Sequence, residues 1–166
     1  MTNNEFPDRK HNRLPEYDYS LAGLYFVTIC IHQHQHVLGR IENNQVLLTH
    51  TGEICREEWF ALLVRFQGIH LDEFAIMPNH IHCIMYLSSG KDSFSLSEII
   101  GTYKSLVARK YYDWCNSSNL IPVSKLWQRS FHDHIIRNER ALDAIREYIR
   151  LNPANWDQDS ENISWK

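Results

Sequence analysis

The sequence predicts an α+β sandwich built on an antiparallel sheet, and three observations carry that prediction. Runs rich in β-branched and aromatic residues alternate with stretches of helical spacing. Two of those apolar runs, at 73–77 and 81–87, are separated by Pro78-Asn79 and so form a hairpin between two helical patterns. A further helical pattern follows the last strand.

Taken in order, residues 1–19 read as an extended arm with few apolar anchors. "LYFVTICIH" at 24–32 is a buried strand, and "VLGRIENNQVLLT" at 37–49 is a hairpin turning at Asn43-Asn44. Residues 51–66 place Ile54, Trp59, Leu62, Leu63 and Phe66 at helical spacing, with Thr51 as the expected N-cap. The hairpin at 70–87 and the polar loop "SSGKDSFS" follow. "LSEIIGTYKSLVARKYYDWC" at 96–115 is a long helix, with Ser95 and Glu98 placed for a capping box. A loop then leads into the strand-like end of "IPVSKLWQRSFHDHIIR". The helix at 138–152 is opened by Asn138 and closed before Pro153. Without the first hairpin, the order is βαββαβ, the ferredoxin-like sandwich, plus a C-terminal helix. One domain over 1–166 is expected, ending in a polar tail at 157–166.

Composition narrows the class. The 166 residues are 43% hydrophobic and 22% charged, which is ordinary for a globular protein. The longest uncharged apolar stretch, "LAGLYFVTICI", is too short to cross a bilayer, so no membrane role is expected. The polar N-terminal stretch carries no secretory pattern, and Cys30, Cys55, Cys83 and Cys115 show no CxxC spacing. Together these features predict a cytoplasmic protein with reduced thiols. The net charge of −3 does not favour nucleic acid, yet residues 101–150 hold nine basic residues against five acidic ones, and Arg9, Lys10 and Arg13 form a small basic knot.

Three histidine patterns compete for a site. In "MPNHIHCIMY", His80 and His82 are i and i+2 on a strand and share one side, with Ile81, Cys83 and Met85 on the other. Two imidazoles so spaced can bind one cation, and they can equally be half-buried strand residues bonded to backbone. "HQHQH" sets His32, His34 and His36 at a strand end running into a polar turn, and a solvated strand end is the favoured reading. "FHDHIIR" puts His132 and His134 opposite Asp133 and stays open. In "IREYIRLNP", Tyr148 and Asn152 share a helical face beside the Leu142, Ile145 and Ile149 stripe. Taken alone, each of those two residues reads better as structural, Tyr148 as a core-edge aromatic and Asn152 as a C-terminal helix residue.

Together, "YDYSLAGLYFVTIC", "MPNHIHCIMYL" and "LWQRSFHDHIIRNERALDAIREYIRLNPANW" resemble the single-tyrosine HUH transposases, in particular the REP-associated tyrosine transposases. The resemblance runs from the N-terminal arm to Trp156. It implies a ferredoxin-like fold, with His80 and His82 as metal ligands, Tyr148 as nucleophile and Asn152 as third ligand, where some family members carry Gln. It also implies Mg²⁺ or Mn²⁺ as the cation and single-stranded DNA bearing a hairpin as substrate. His134, Arg137 and Asn138 match a recurrent block, placed beside the ligands or against DNA.

The implied reaction is attack by the Tyr148 phenol on a phosphodiester, giving a 5′-phosphotyrosine and a 3′-OH that a second strand can reverse. No water-activating carboxylate stands out, which fits strand transfer better than hydrolysis. DNA binding is expected from Arg9, Lys10, Arg13, Lys104 and the basic segment, with Trp127, Tyr103, Tyr111 and Tyr112 as aromatic candidates for base stacking, although several of them read better as core, Trp127 and Tyr111 being the most open. A non-catalytic nucleic-acid binder and a metal-dependent phosphodiester hydrolase are the alternatives. Monomer and homodimer both remain open.

Overall fold

The computed structural model describes residues 22–90 and 93–162. Four strands form one antiparallel sheet: β1 (Gly23–Cys30), β4 (Ile69–Ile76), β5 (His80–Leu87) and β6 (His132–Ile136). Their spatial order is β4-β5-β1-β6. The two central strands are thus the first and third of the four, the arrangement that a βαββαβ chain adopts when each helix crosses back over the same face.

The first hairpin, β2 (Gly39–Glu42) and β3 (Gln45–Leu48), stands apart as a two-stranded ribbon. Asn43 and Asn44 both have positive φ, at 51° and 60°. That is the backbone of a type I′ turn, and asparagine tolerates it.

Helix α1 (His50–Arg65) starts earlier than the sequence predicts. Thr49, not Thr51, is the N-cap; its hydroxyl accepts from the Gly52 N–H at 3.2 Å and donates to the Val37 carbonyl. The hairpin's end fixes the start, because the Thr49 N–H is already tied to the Leu38 carbonyl. Thr51 lies one residue inside the helix and is buried. Helix α2 (Leu96–Ser117) carries the expected Ser95–Glu98 capping box, and α3 (Glu139–Leu151) is capped by Asn138, whose side chain accepts from the Ala141 N–H at 2.8 Å.

The sheet separates two layers. Tyr25, Val27 and Ile29 of β1 lie opposite Met85, Cys83 and Ile81 of β5, and all six are fully buried in the large core under α1 and α2. Trp59 of α1 stacks on Phe74 at 4.7 Å, and the Tyr103 hydroxyl of α2 donates to the Cys55 carbonyl. The other face is thinner. There Ile84, Ile136 and Ile149 pack with Leu24, Phe26, Leu142 and Ile145, so among the described residues α3 is the one α-helix on that side.

Candidate active site

The strand alternation that fills the core with odd-numbered residues sends His80 and His82 to the α3 face. His82 pairs across the strands with Thr28, whose hydroxyl is 2.9 Å from His82 Nδ1. His80 follows Asn79 at the β4–β5 turn, and its Nδ1 is 2.8 Å from Asn79 Oδ1. The Asn79 amide cannot be reversed without loss, because its NH₂ donates to the carbonyls of His34 and Glu161. Its oxygen therefore accepts the His80 Nδ1 proton and leaves Nε2 with a lone pair aimed at the site.

The two Nε2 atoms lie 3.0 Å apart. Two nitrogens about 2.1 Å from one cation and at right angles around it stand about 3 Å apart, so this spacing fits a shared ion. Helix α3 supplies the remaining groups. Its apolar stripe seats it on the sheet and holds Tyr148 at the stripe's edge, with Tyr148 Oη 3.2 Å from His82 Nε2. Phe26 meets the phenol ring edge-on at 6.1 Å. Asn152 caps the end of α3, is 2% exposed and donates from Nδ2 to Asp159 Oδ2 at 2.6 Å. Its Oδ1 is buried without a hydrogen-bond partner among the described residues. A buried amide oxygen left without a partner is a group that suits a cation ligand.

His80 and His82 are 0% and 3% exposed, deeper than a half-buried strand pattern suggests. Trp156 lies over His80 with rings 6.0 Å apart, and Tyr148 lies over His82 at 5.2 Å. Burial disfavours the imidazolium form. It lowers the His80 pKa to about 2, with help from the His82 and His34 charges. It lowers that of His82 to about 4 against the opposing pull of Asp159. Both rings are thus neutral near pH 7, the state a metal ligand requires. The Tyr148 pKa is raised by burial and by the Asp159 and Glu161 charges, while a hydrogen bond from Asn152 opposes the rise.

Asp159 is a site residue that the sequence pattern hides. It completes a cluster with His80 and His82 whose ligand atoms all lie within 4.8 Å of one another. The polar tail is therefore no appendage over 156–162: Trp156, Asp159 and Glu161 fold back onto the site. Asp159 also supplies the carboxylate that the sequence reading did not find. "WDQDSEN" offers only acidity next to a tryptophan, with no periodicity to place it.

The other candidates divide. His134 is exposed on β6 opposite Phe26, on the site's face, and Arg137 is exposed just beyond it. The Asn138 side chain is engaged as the α3 cap. Lys104 Nζ donates to the carbonyls of Gln128, Arg129 and Ser130 and holds that loop in place. Arg9, Lys10 and Arg13 lie outside the described residues. Tyr103, Trp127 and Tyr111 are core residues at 0%, 5% and 5% exposure, which removes them as stacking platforms for bases. "HQHQH" is not a solvated strand end: residues 32–34 form a tight turn with Gln33 and His34 at positive φ, and His34 contacts Gln128 at 3.0 Å and Glu161 at 3.5 Å. His36 packs edge-on against Trp156. All four cysteines are buried free thiols. Among the described residues no helix is long and apolar enough to cross a membrane.

Paired strand imidazoles and a helix-borne phenol, brought together on one face of an antiparallel sheet, define a candidate nucleophile-and-cation site. The sequence pattern described as "Transposase IS200 like" matches residues 26–152, and the chain belongs to that family of single-tyrosine transposases. An uncharacterized protein of Haemophilus influenzae is 32% identical over 91% of each chain. The REP-associated tyrosine transposase of Escherichia coli K12 is 27% identical over 54% of this chain and 47% of its own. A solved REP-associated tyrosine transposase bound to a REP hairpin superposes with a TM-score of 0.61 at 20% identity, covering 86% of this chain and 74% of that one. That likeness is one of fold.

Proposed function

We propose that this transposase cuts and rejoins single-stranded DNA beside a REP-like hairpin, with Tyr148 as nucleophile and His80, His82 and Asn152 holding Mg²⁺ or Mn²⁺. The observation that carries the reading is the approach of Tyr148 Oη to His82 Nε2, 3.2 Å within one chain. The orphaned Asn152 oxygen and the paired Nε2 atoms suit a divalent ion. When bound, such an ion supplies positive charge against a nonbridging phosphate oxygen. Asp159 lies within reach of the same position.

In the proposed reaction the Tyr148 phenol loses its proton, its oxygen bonds to phosphorus, and the P–O3′ bond breaks. The departing O3′ takes up a proton, and the 5′-phosphate remains on the tyrosine. Attack by another 3′-OH reverses the step and joins strands. A phenol at its ordinary pKa of about 10 is a weak nucleophile at neutral pH, and burial among carboxylates makes Tyr148 harder to ionise still. A divalent cation held by His80, His82 and Asn152 would offset that effect. His134, exposed on the α3 side of β6, and Arg137, exposed just beyond that strand, are the proposed contacts to the DNA backbone.

Labelled single-stranded hairpin DNA, incubated with protein in Mn²⁺ and resolved on a denaturing gel, tests this. Wild type gives a covalent adduct, whereas Tyr148→Phe gives none and binds the hairpin within about twofold. Cleavage by Tyr148→Phe would turn the reading to hydrolysis, with Asp159 as the carboxylate beside the water. Absence of any adduct from wild type would leave a binding protein.

A further inference from the structure

The edge strand β4 breaks its alternation where α3 crosses it. Leu71 pairs with Met85 and Phe74 with Cys83, so two β4 residues, Asp72 and Glu73, stand against the single Ile84. This β-bulge lets both Leu71 and Phe74 face the α1–α2 core although they are three apart. It also places two successive carboxylates within reach of α3. Arg146 grips Asp72 through one guanidinium edge, with Nε on Oδ1 at 2.9 Å and Nη2 on Oδ2, while Nη1 meets Asp143 at 3.3 Å. Arg150, one turn on, reaches Glu73 with Nε at 2.7 Å.

Arg146 and Arg150 share one side of α3, and Tyr148, two residues from each, projects from roughly the opposite side. The Leu142, Ile145 and Ile149 stripe lies between them against the sheet. The helix is therefore gripped along one flank while its phenol stands on the other. An apolar stripe tolerates rotation about the helix axis; a forked ion pair does not. With Tyr Oη on the order of 8 Å from that axis, a 10° roll displaces it by about 1.4 Å. Misplacements of that size cost roughly a hundredfold in rate.

We propose that Asp72 and Glu73 are positioning residues for Tyr148: the bulge carboxylates fix the roll of α3, and so the distance from phenol to His82. The proposal deepens the strand-transfer reading and rests on it. Partly exposed ion pairs add little stability, so the effect belongs to geometry.

The test compares wild type, Asp72→Asn/Glu73→Gln, Glu73→Gln alone and the conservative Asp72→Glu. Each is measured for hairpin affinity, adduct rate in Mn²⁺, and the ¹³Cζ resonance of Tyr148 in tyrosine-labelled protein, assigned by its loss in Tyr148→Phe. The doubly neutralised variant is expected to bind within about twofold and form adduct at least tenfold more slowly, with the Tyr148 resonance shifted. Asp72→Glu keeps the rate within about threefold. A folded double variant with wild-type rate and resonance overturns the proposal. If the double variant does not fold, Glu73→Gln decides it by the same two readouts, because its partner Arg150 is 62% exposed and the fold does not depend on that pair. If wild type forms no adduct, the strand-transfer reading fails, and the resonance alone decides the clamp.

Discussion

Asn79 decides which nitrogen of His80 faces the site. Its NH₂ is held by two carbonyls, one from the 32–34 turn and one from Glu161, so its oxygen is fixed toward His80 Nδ1. Replacing it with Ala frees the ring to flip and to change tautomer. Isothermal titration of Asn79→Ala with Mn²⁺ should show affinity about 10- to 100-fold weaker, with the thermal stability of the metal-free protein much less affected. At this scale the sequence was readable where a residue follows a period. Strand alternation placed His80 and His82 together, and the i, i+4 spacing placed Tyr148 with Asn152. Asp159 follows no period. It reaches the imidazoles across more than 70 residues of chain, through a tail whose folding rests on one stacked tryptophan and a few side-chain hydrogen bonds. A core place was the favoured reading for several of the aromatics, but Trp127 and Tyr111 stayed open, because aromatics at helical or loop positions look the same whether they face solvent or core.

At the level of elements, the link between β4 and α3 gives a pH signature. The Asp72 carboxyl is held below the usual 3.8 chiefly by its hydrogen bond from Arg146. A depressed native pKa means that the unfolded chain takes up the proton first as pH falls. The pair's contribution is therefore complete above the ordinary aspartate range and is lost as pH drops through 3.8 and below. The melting temperatures of wild type and Asp72→Asn should differ by a constant gap from about pH 8 to pH 5 and converge below about pH 4. Nothing in "HLDEFAI" announces this link, because an acidic pair in a strand reads as one residue on each face until the bulge is known. Helix starts were legible where a second signal marked the cap or one candidate stood alone. Ser95 is flanked by Ser93 and Ser97, but Glu98 three residues on singles it out, and Asn138 had no rival nearby; Thr49 and Thr51 compete, and the hairpin's hydrogen bond to the Thr49 N–H settles which one caps.

Across the whole molecule, the architecture was legible because each core helix and strand repeats its pattern over several turns or residues. The division into unequal layers was not, since it depends on which face each helix crosses. That inequality has a measurable consequence. The core that α1 and α2 form with the sheet and its loops holds more than twenty buried residues, while α3 rests on a small apolar cluster and two ion pairs. Native-state hydrogen exchange should show α3 amides opening at a lower free energy than those of α2 and β1, as a separate unit. Equal protection across all three would mean that the helix carrying Tyr148 unfolds only with the entire protein.

Strand β5 serves two masters by turns, since each residue along it belongs to the layer its predecessor does not. A lineage can therefore let Ile81, Cys83 and Met85 drift among similar hydrophobes without disturbing the chemistry next door. It can equally reshape the surroundings of His80 and His82 for a new nucleic-acid target while the scaffold beneath holds its form.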